Sequence, residues 1–113
     1  MDEFSWFVGL YEGEGSFGHR TVRKKYKDKI YENKGIYLTI KMTDKDVIER
    51  AAKFLGVTYH ITDKKQTEKY NRKTIYRVRK MGGLKGELYD LTQKMLPHLS
   101  KRRQEQIKEH LNK

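Results

Sequence analysis

The chain has 113 residues, 35% hydrophobic and 36% charged, and 26 Lys and Arg against 15 Asp and Glu give it a formal charge of +11. That length implies one domain, residues 1–113, with a modest core, and the lack of cysteine excludes a disulfide framework or a Cys-based zinc site. So much positive charge on a small body repels itself unless a polyanion neutralises it, which makes nucleic acid the expected partner. No apolar run is long enough to span a bilayer, and the N-terminus MDEF is acidic where a signal peptide is basic, so an intracellular protein with no membrane partner is expected. For so polar a chain, burying further surface against a second copy would help, which makes a homodimer plausible from the outset.

Asp2 is placed to cap a helix from about Glu3 to Gly13, whose Phe4, Trp6, Phe7, Val8, Leu10 and Tyr11 make it apolar nearly all round. Gly9 and Gly13 lie four apart on one face, where they cost helix propensity but let another backbone approach. From Gly15 to about Lys27 the period changes towards two: Phe17 points one way, and Arg20, Val22, Lys24 and Tyr26 point the other. GIYLTIKMT, Gly35 to Thr43, predicts a second strand in which Ile36, Leu38, Ile40 and Met42 alternate with Tyr37, Thr39 and Lys41. Thr43 opens a helix with a stripe of Val47, Ile48, Ala51, Phe54 and Leu55, ended by Gly56. A third strand runs from Val57 to Thr62, the charged stretch Asp63 to Lys73 reads as a loop, and TIYRVRK predicts a fourth strand with Tyr76 and Val78 on one side and Arg77 and Arg79 on the other. Leu84, Leu88, Leu91 and Met95 mark a helix that Pro97 stops, and a last helix starts near Ser100 with Ile107 and Leu111. The order helix, hairpin, helix, hairpin, helix, helix predicts an α+β fold with an antiparallel four-stranded sheet, one face apolar and the other polar and basic.

The segment EGEGSFG contains G-x-G-x-x-G at Gly13, Gly15 and Gly18. A dinucleotide fingerprint follows a strand and opens a helix, whereas here the glycines follow a helix and open a strand. A kinase glycine loop lies between strands and needs HRD and DFG segments, neither of which occurs in this chain. Glu12 and Glu14 are more informative, because they sit at the negative end of the helix macrodipole, where a carboxylate is disfavoured by up to ~1 kcal/mol. Local rules are often broken in this way at functional sites, although solvated end residues before a turn would look the same.

FVGLYEGEG, Phe7 to Gly15, resembles the nine-residue motif that names the LAGLIDADG homing endonucleases, with Glu12 and Glu14 on its two acids and Gly9 and Gly15 on its two glycines. The resemblance implies that Glu14 is the metal-binding catalytic acid, and the predicted element order is similar to the family's fold over nearly the whole chain. LPHLSKRRQ, Leu96 to Gln104, is similar to the family segment that carries a basic active-site residue: Lys101 matches by its spacing to Gln104, and Arg102 by its distance from Pro97. LTIKMTDKD, Leu38 to Asp46, is similar to the passage from second strand to second helix. There Asp44 falls where some members place a polar residue that organises active-site water, while its simpler role is to help cap its helix.

Phosphodiester hydrolysis needs an activated water and charge stabilisation on the leaving oxygen, both of which divalent cations supply. The resemblance implies magnesium, or another divalent cation, bound by Glu14 with Gly13 beside it, and no small-molecule cofactor. It also implies that two chains pack their first helices through Gly9, Gly13, Trp6 and Leu10, so that two acids meet beside two scissile phosphates. The basic sheet face would lie in the major groove of double-stranded DNA. Arg20, Lys24, Lys41, Arg77 and Arg79 suit guanine edges or phosphates, and Tyr26, Tyr37, His60 and Thr62 suit mixed contacts. The loops Arg23 to Asn33 and Asp63 to Lys73 would touch the backbone. His19, His98 and His110 show no metal-ligand spacing and receive no role. The expected activity is a homodimeric, metal-dependent DNA endonuclease making double-strand cuts at a long, near-palindromic site, as in intron or intein mobility. The alternatives are a non-cleaving DNA-binding regulator or a maturase-type RNA-splicing cofactor on the same scaffold and, from another class, a ribosome-associated basic protein with no site.

Overall fold

The computed structural model describes residues 2–62 and 74–112. Its elements are α1 (Glu3–Glu14), β1 (Gly15–Tyr26), β2 (Lys29–Met42), α2 (Lys45–Leu55), β3 (Tyr59–Thr62), β4 (Ile75–Gly83), α3 (Glu87–Met95), a 3-10 turn Leu96–His98 and α4 (Lys101–Leu111). The strands form one sheet in the order β1-β2-β4-β3. This is the α+β order of helices and hairpins that the sequence predicts. The expected loop Asp63 to Lys73 lies outside the described residues. The chain divides into two compact units, Met1–Ser16 with Thr39–Lys80, and Phe17–Leu38 with Met81–Lys113.

In the first unit the Asp2 carboxylate accepts a hydrogen bond from the Ser5 main-chain N–H at 2.7 Å and so starts α1. Phe7, Val8 and Tyr11 are buried, and Phe7 stacks on Phe54 with ring centroids 4.7 Å apart. Ile48, Ala51, Ala52 and Leu55 bury one face of α2. Gly56 ends that helix in the left-handed conformation, φ 71°, and the Lys80 ammonium donates to the Leu55 carbonyl at 2.7 Å, satisfying an orphan acceptor of the last turn. The helix starts at Lys45, two residues after Thr43, where it was expected. Asp44 occupies its N-cap, but the carboxylate makes no cap hydrogen bond. Antiparallel β3 and β4 set Tyr59 opposite Val78, His60 opposite Arg77, Ile61 opposite Tyr76 and Thr62 opposite Ile75.

In the second unit β1 and β2 form a long ribbon closed by two left-handed residues, Lys27 (φ 46°) and Asp28 (φ 62°). Such a two-residue turn matches the right-handed strand twist, and Asp tolerates the conformation. This corrects the expected loop from Arg23 to Asn33, which is paired strand apart from the turn. Residues 23 to 34 are exposed throughout, so no apolar alternation announces them, while an Arg23–Glu32 ion pair at 2.9 Å links the two strands. Phe17, Ile36, Leu38, Leu88, Met95, Leu99 and Ile107 supply this unit's core. The Thr92 hydroxyl donates to the Leu88 carbonyl at 2.7 Å, and the Ser100 hydroxyl caps α4 by accepting from the Arg103 N–H at 3.3 Å. Leu84, expected to begin a helix, is 39% exposed and precedes α3 by three residues.

Candidate active site and basic sheet face

Glycines shape the end of α1 and the start of β1 in two ways. Around Gly13, as around Gly9, a β-carbon would meet no heavy atom within 4 Å among the described residues. At Gly15 a β-carbon would overlap the ring of buried Tyr11. At Gly18 it would overlap the ring of Tyr37. None of them lines a phosphate loop that opens a helix. Tyr11 closes over Gly15, where the chain leaves α1 extended (φ −80°, ψ 158°), and Glu14 stands exposed as the last helical residue. Helix geometry leaves the last carbonyls of α1 without intrahelical donors, so main-chain oxygens, that of Gly13 included, accompany the Glu14 carboxylate there.

Of the other residues expected at the helix face, Leu10 is half-buried, and one face of Trp6 is covered by Arg50, whose guanidinium carbon lies 4.1 Å from the ring centroid. Arg50 also donates to both Glu3 carboxylate oxygens, at 2.6 and 3.1 Å. That hydrogen bond holds the Glu3 carboxyl below the usual range and raises the Arg50 pKa. Asp44 is exposed at the start of α2. Among the described residues no three His, Asp or Glu side chains gather as a ready metal cluster.

The polar face of the first unit follows the predicted alternation. Val78 is fully buried and the Tyr76 ring meets Tyr59 edge-on, while Arg77 and Arg79 take the opposite side with His60 paired across from Arg77. Arg79 Nε donates to the Thr39 hydroxyl at 3.0 Å, and the Thr62 hydroxyl donates to the Ile75 carbonyl at 3.3 Å. Lys41, two residues after Thr39 on β2, is exposed. Thr39, which received no role from the sequence, is 4% exposed and orients Arg79. Hydroxyls on a polar strand face are common, and nothing local marks this one.

In the second unit Tyr37 lies across Gly18, and the Arg20 side chain runs beside Gly35, its Cγ and Nε 3.6 and 3.7 Å from where a β-carbon there would be. Lys24 is exposed and Tyr26 is 63% exposed, with the Lys27 ammonium 5.6 Å from its ring centroid. Lys101 and Arg102 are exposed at the first turn of α4, at the end of the helix dipole that disfavours cations. The next residue, Arg103, is buried and donates to Gln106 Oε1 at 3.1 Å, so it is structural. His19 and His110 approach with their Nδ1 atoms 2.8 Å apart, one donating and the other accepting, and so join β1 to α4. They are 91 positions apart in the chain, a pairing that spacing cannot reveal.

No protein-family model matches the sequence, and no curated protein matches it. Solved structures do match. The LAGLIDADG homing endonuclease I-LtrWI, bound to its target DNA, is 18% identical over 90% of this chain, with a TM-score of 0.57. The homing endonuclease I-TnaI is 18% identical over 96% of this chain, with a TM-score of 0.56. A mutant of I-SmaMI is 19% identical over 84%, with a TM-score of 0.50. This chain spans 33% of I-LtrWI, 67% of I-TnaI and 30% of the I-SmaMI mutant. With its order of helices and hairpins, its antiparallel four-stranded sheet and these structural likenesses, the chain has the fold of the LAGLIDADG homing endonucleases.

Proposed function

We propose that the chain is a metal-dependent DNA endonuclease that acts as a homodimer and makes double-strand cuts at a long, near-palindromic site. The observation that carries this reading is Glu14: an exposed carboxylate at the negative end of α1, the helix on which a β-carbon at Gly9 or Gly13 would meet no heavy atom within 4 Å among the described residues. A lone carboxylate at that end is electrostatically disfavoured, and a cation bound there reverses the sign of the effect. The donors are all oxygen, the Glu14 carboxylate and the Gly13 carbonyl, which fits a hard ion such as Mg2+. One carboxylate per chain leaves the set incomplete, and a second copy packed on Gly9, Gly13 and Leu10 brings a second Glu14. When bound, the cation supplies activated water and neutralises charge at the leaving oxygen.

The polypeptide does the rest. In the first unit Glu14 holds the cation; in the second, Lys101 or Arg102 carries the positive charge that the family resemblance assigns to the segment Leu96 to Gln104. Asp44, whose carboxylate is not spent on capping, accepts a hydrogen bond from water. Arg20, Lys24, Lys41, Arg77 and Arg79 meet DNA, with Arg79 oriented by Thr39. The likeness to I-LtrWI, itself bound to target DNA, supports this reading.

The test is cleavage of a site selected from a plasmid library, in magnesium, by the natural chain and by Glu14→Gln. The natural chain is expected to cut and Glu14→Gln to lose cutting, with DNA affinity unchanged or somewhat higher, because a carboxylate that repels phosphates is gone. Equal cutting rates would refute the role of Glu14. Binding without cutting by both would favour a DNA-binding regulator.

A further inference from the structure

On the polar side of the second unit a hollow of about 390 Å3 opens between β1, β2 and β4. Gly35, Gly82 and Gly83 are part of its lining, and they offer main chain there in place of side chains. A β-carbon at Gly35 would stand 3.2 Å from the Gly82 carbonyl oxygen and against the stem of Arg20, and one at Gly82 would point at Leu88. The walls include Arg20, Lys24 and Met81, and no carboxylate lines the hollow among the described residues. Met81 is 44% exposed on β4. A single exposed methionine needs no explanation. Beside the main chain of Gly35 and the Arg20 side chain, it makes a cationic hollow with one apolar wall.

Nucleic-acid chemistry offers one group that matches each wall. Thymine alone among the DNA bases presents a methyl group in the major groove, and guanine presents the paired acceptors O6 and N7 that fit a guanidinium fork. We propose that the hollow receives the C5-methyl edge of a thymine packed on the Met81 thioether, next to a guanine engaged by Arg20, so that Met81 determines specificity for one T·A pair in each half-site. Gly35 is the positioning residue: a β-carbon there would press on the Gly82 carbonyl oxygen at 3.2 Å, and a longer side chain would enter the space beside the Arg20 stem. Burying one methyl group on Met81 is worth about three- to five-fold in affinity. The inference rests on the DNA-binding reading above and adds a residue that the charge pattern alone does not single out.

Duplexes are selected from a randomised pool by the natural chain in buffer containing a chelator, so that none are cut. Each thymine of the selected site is then replaced singly by deoxyuridine, which removes only the methyl group, and affinities are measured by fluorescence anisotropy. The natural chain is expected to lose about three- to five-fold at one thymine per half-site adjoining a guanine. Met81→Ala and Met81→Gln are expected to bind the thymine site more weakly and to lose nothing further on deoxyuridine there. Each variant is compared with itself on two duplexes, so a small change in folding cancels. If both variants keep the natural chain's penalty at every thymine, the inference is overturned. If the natural chain selects no sequence at all, the DNA-binding reading fails and the inference falls with it.

Discussion

Glycine has two meanings around the motif, close packing at Gly15 and open space at Gly9 and Gly13, and substitution separates them. Gly15→Ala drives a β-carbon into the buried Tyr11 ring and is expected to cost about 1–3 kcal/mol, read as a lowered denaturant midpoint with unchanged slope. Gly9→Ala and Gly13→Ala meet open space among the described residues. Within one copy they relieve a glycine penalty of up to ~1 kcal/mol in a helix interior. If α1 packs on a second copy, the same changes remove the room for close backbones. A higher melting temperature in dilute solution together with weaker self-association is therefore expected, and unchanged association would count against a role for these glycines in dimer contact.

At the level of elements, α1 is joined to α2 by Phe7 on Phe54 and by the cluster of Glu3, Arg50 and Trp6. The hydrogen bond from Arg50 lowers the folded pKa of Glu3 from its ordinary 4.5, and the Ser5 N–H lowers that of Asp2 from 3.8. A depressed carboxyl binds its proton less readily when folded than when unfolded. Its contribution is therefore complete above the unfolded value and is lost as pH falls through the folded one. Thermal melts between pH 6 and pH 3 are expected to fall less steeply for Glu3→Gln than for the natural chain, with the curves converging at the acid end. Both groups are exposed, so the difference is small and shrinks with added salt. Parallel curves would show that the cluster contributes nothing.

For the whole molecule, a charge of +11 governs how it meets a polyanion. DNA affinity is expected to fall linearly with the logarithm of salt concentration, by about 0.9 per phosphate neutralised, and Lys24→Ala to flatten that slope by about one unit. Slopes that do not differ would remove Lys24 from the phosphate contacts. Self-association belongs to the same scale. Sedimentation on DNA is expected to show two copies per site, and Gly13→Leu to split or distort that assembly, since a leucine has no room between close helices. One copy per site for the natural chain would rule out the homodimer.

Periodicity carried most of the architecture into view. A period of two in β2 and β4, an apolar stripe in α2 and caps at Asp2, Gly56 and Ser100 are local signals, and each acts where it was expected. The tip of the β1–β2 ribbon was not legible, because a strand exposed on both faces has no reason to alternate. The starts of α2 and α3 were misplaced by a few residues because polar residues can extend or cap a helix equally well. The sequence by itself determined the charge, the α+β order, the alternation of Arg77 and Arg79 with Tyr76 and Val78, and the acid of the motif. Only the tertiary structure decided that Tyr11 closes over Gly15, that Thr39 holds Arg79, that His19 finds His110, and that three glycines from two strands leave a hollow beside Met81. Apart from Tyr11 and Gly15, which are four residues apart, those contacts join residues that no short-range periodicity relates, and they exist only because packing in three dimensions brings distant segments of the chain together.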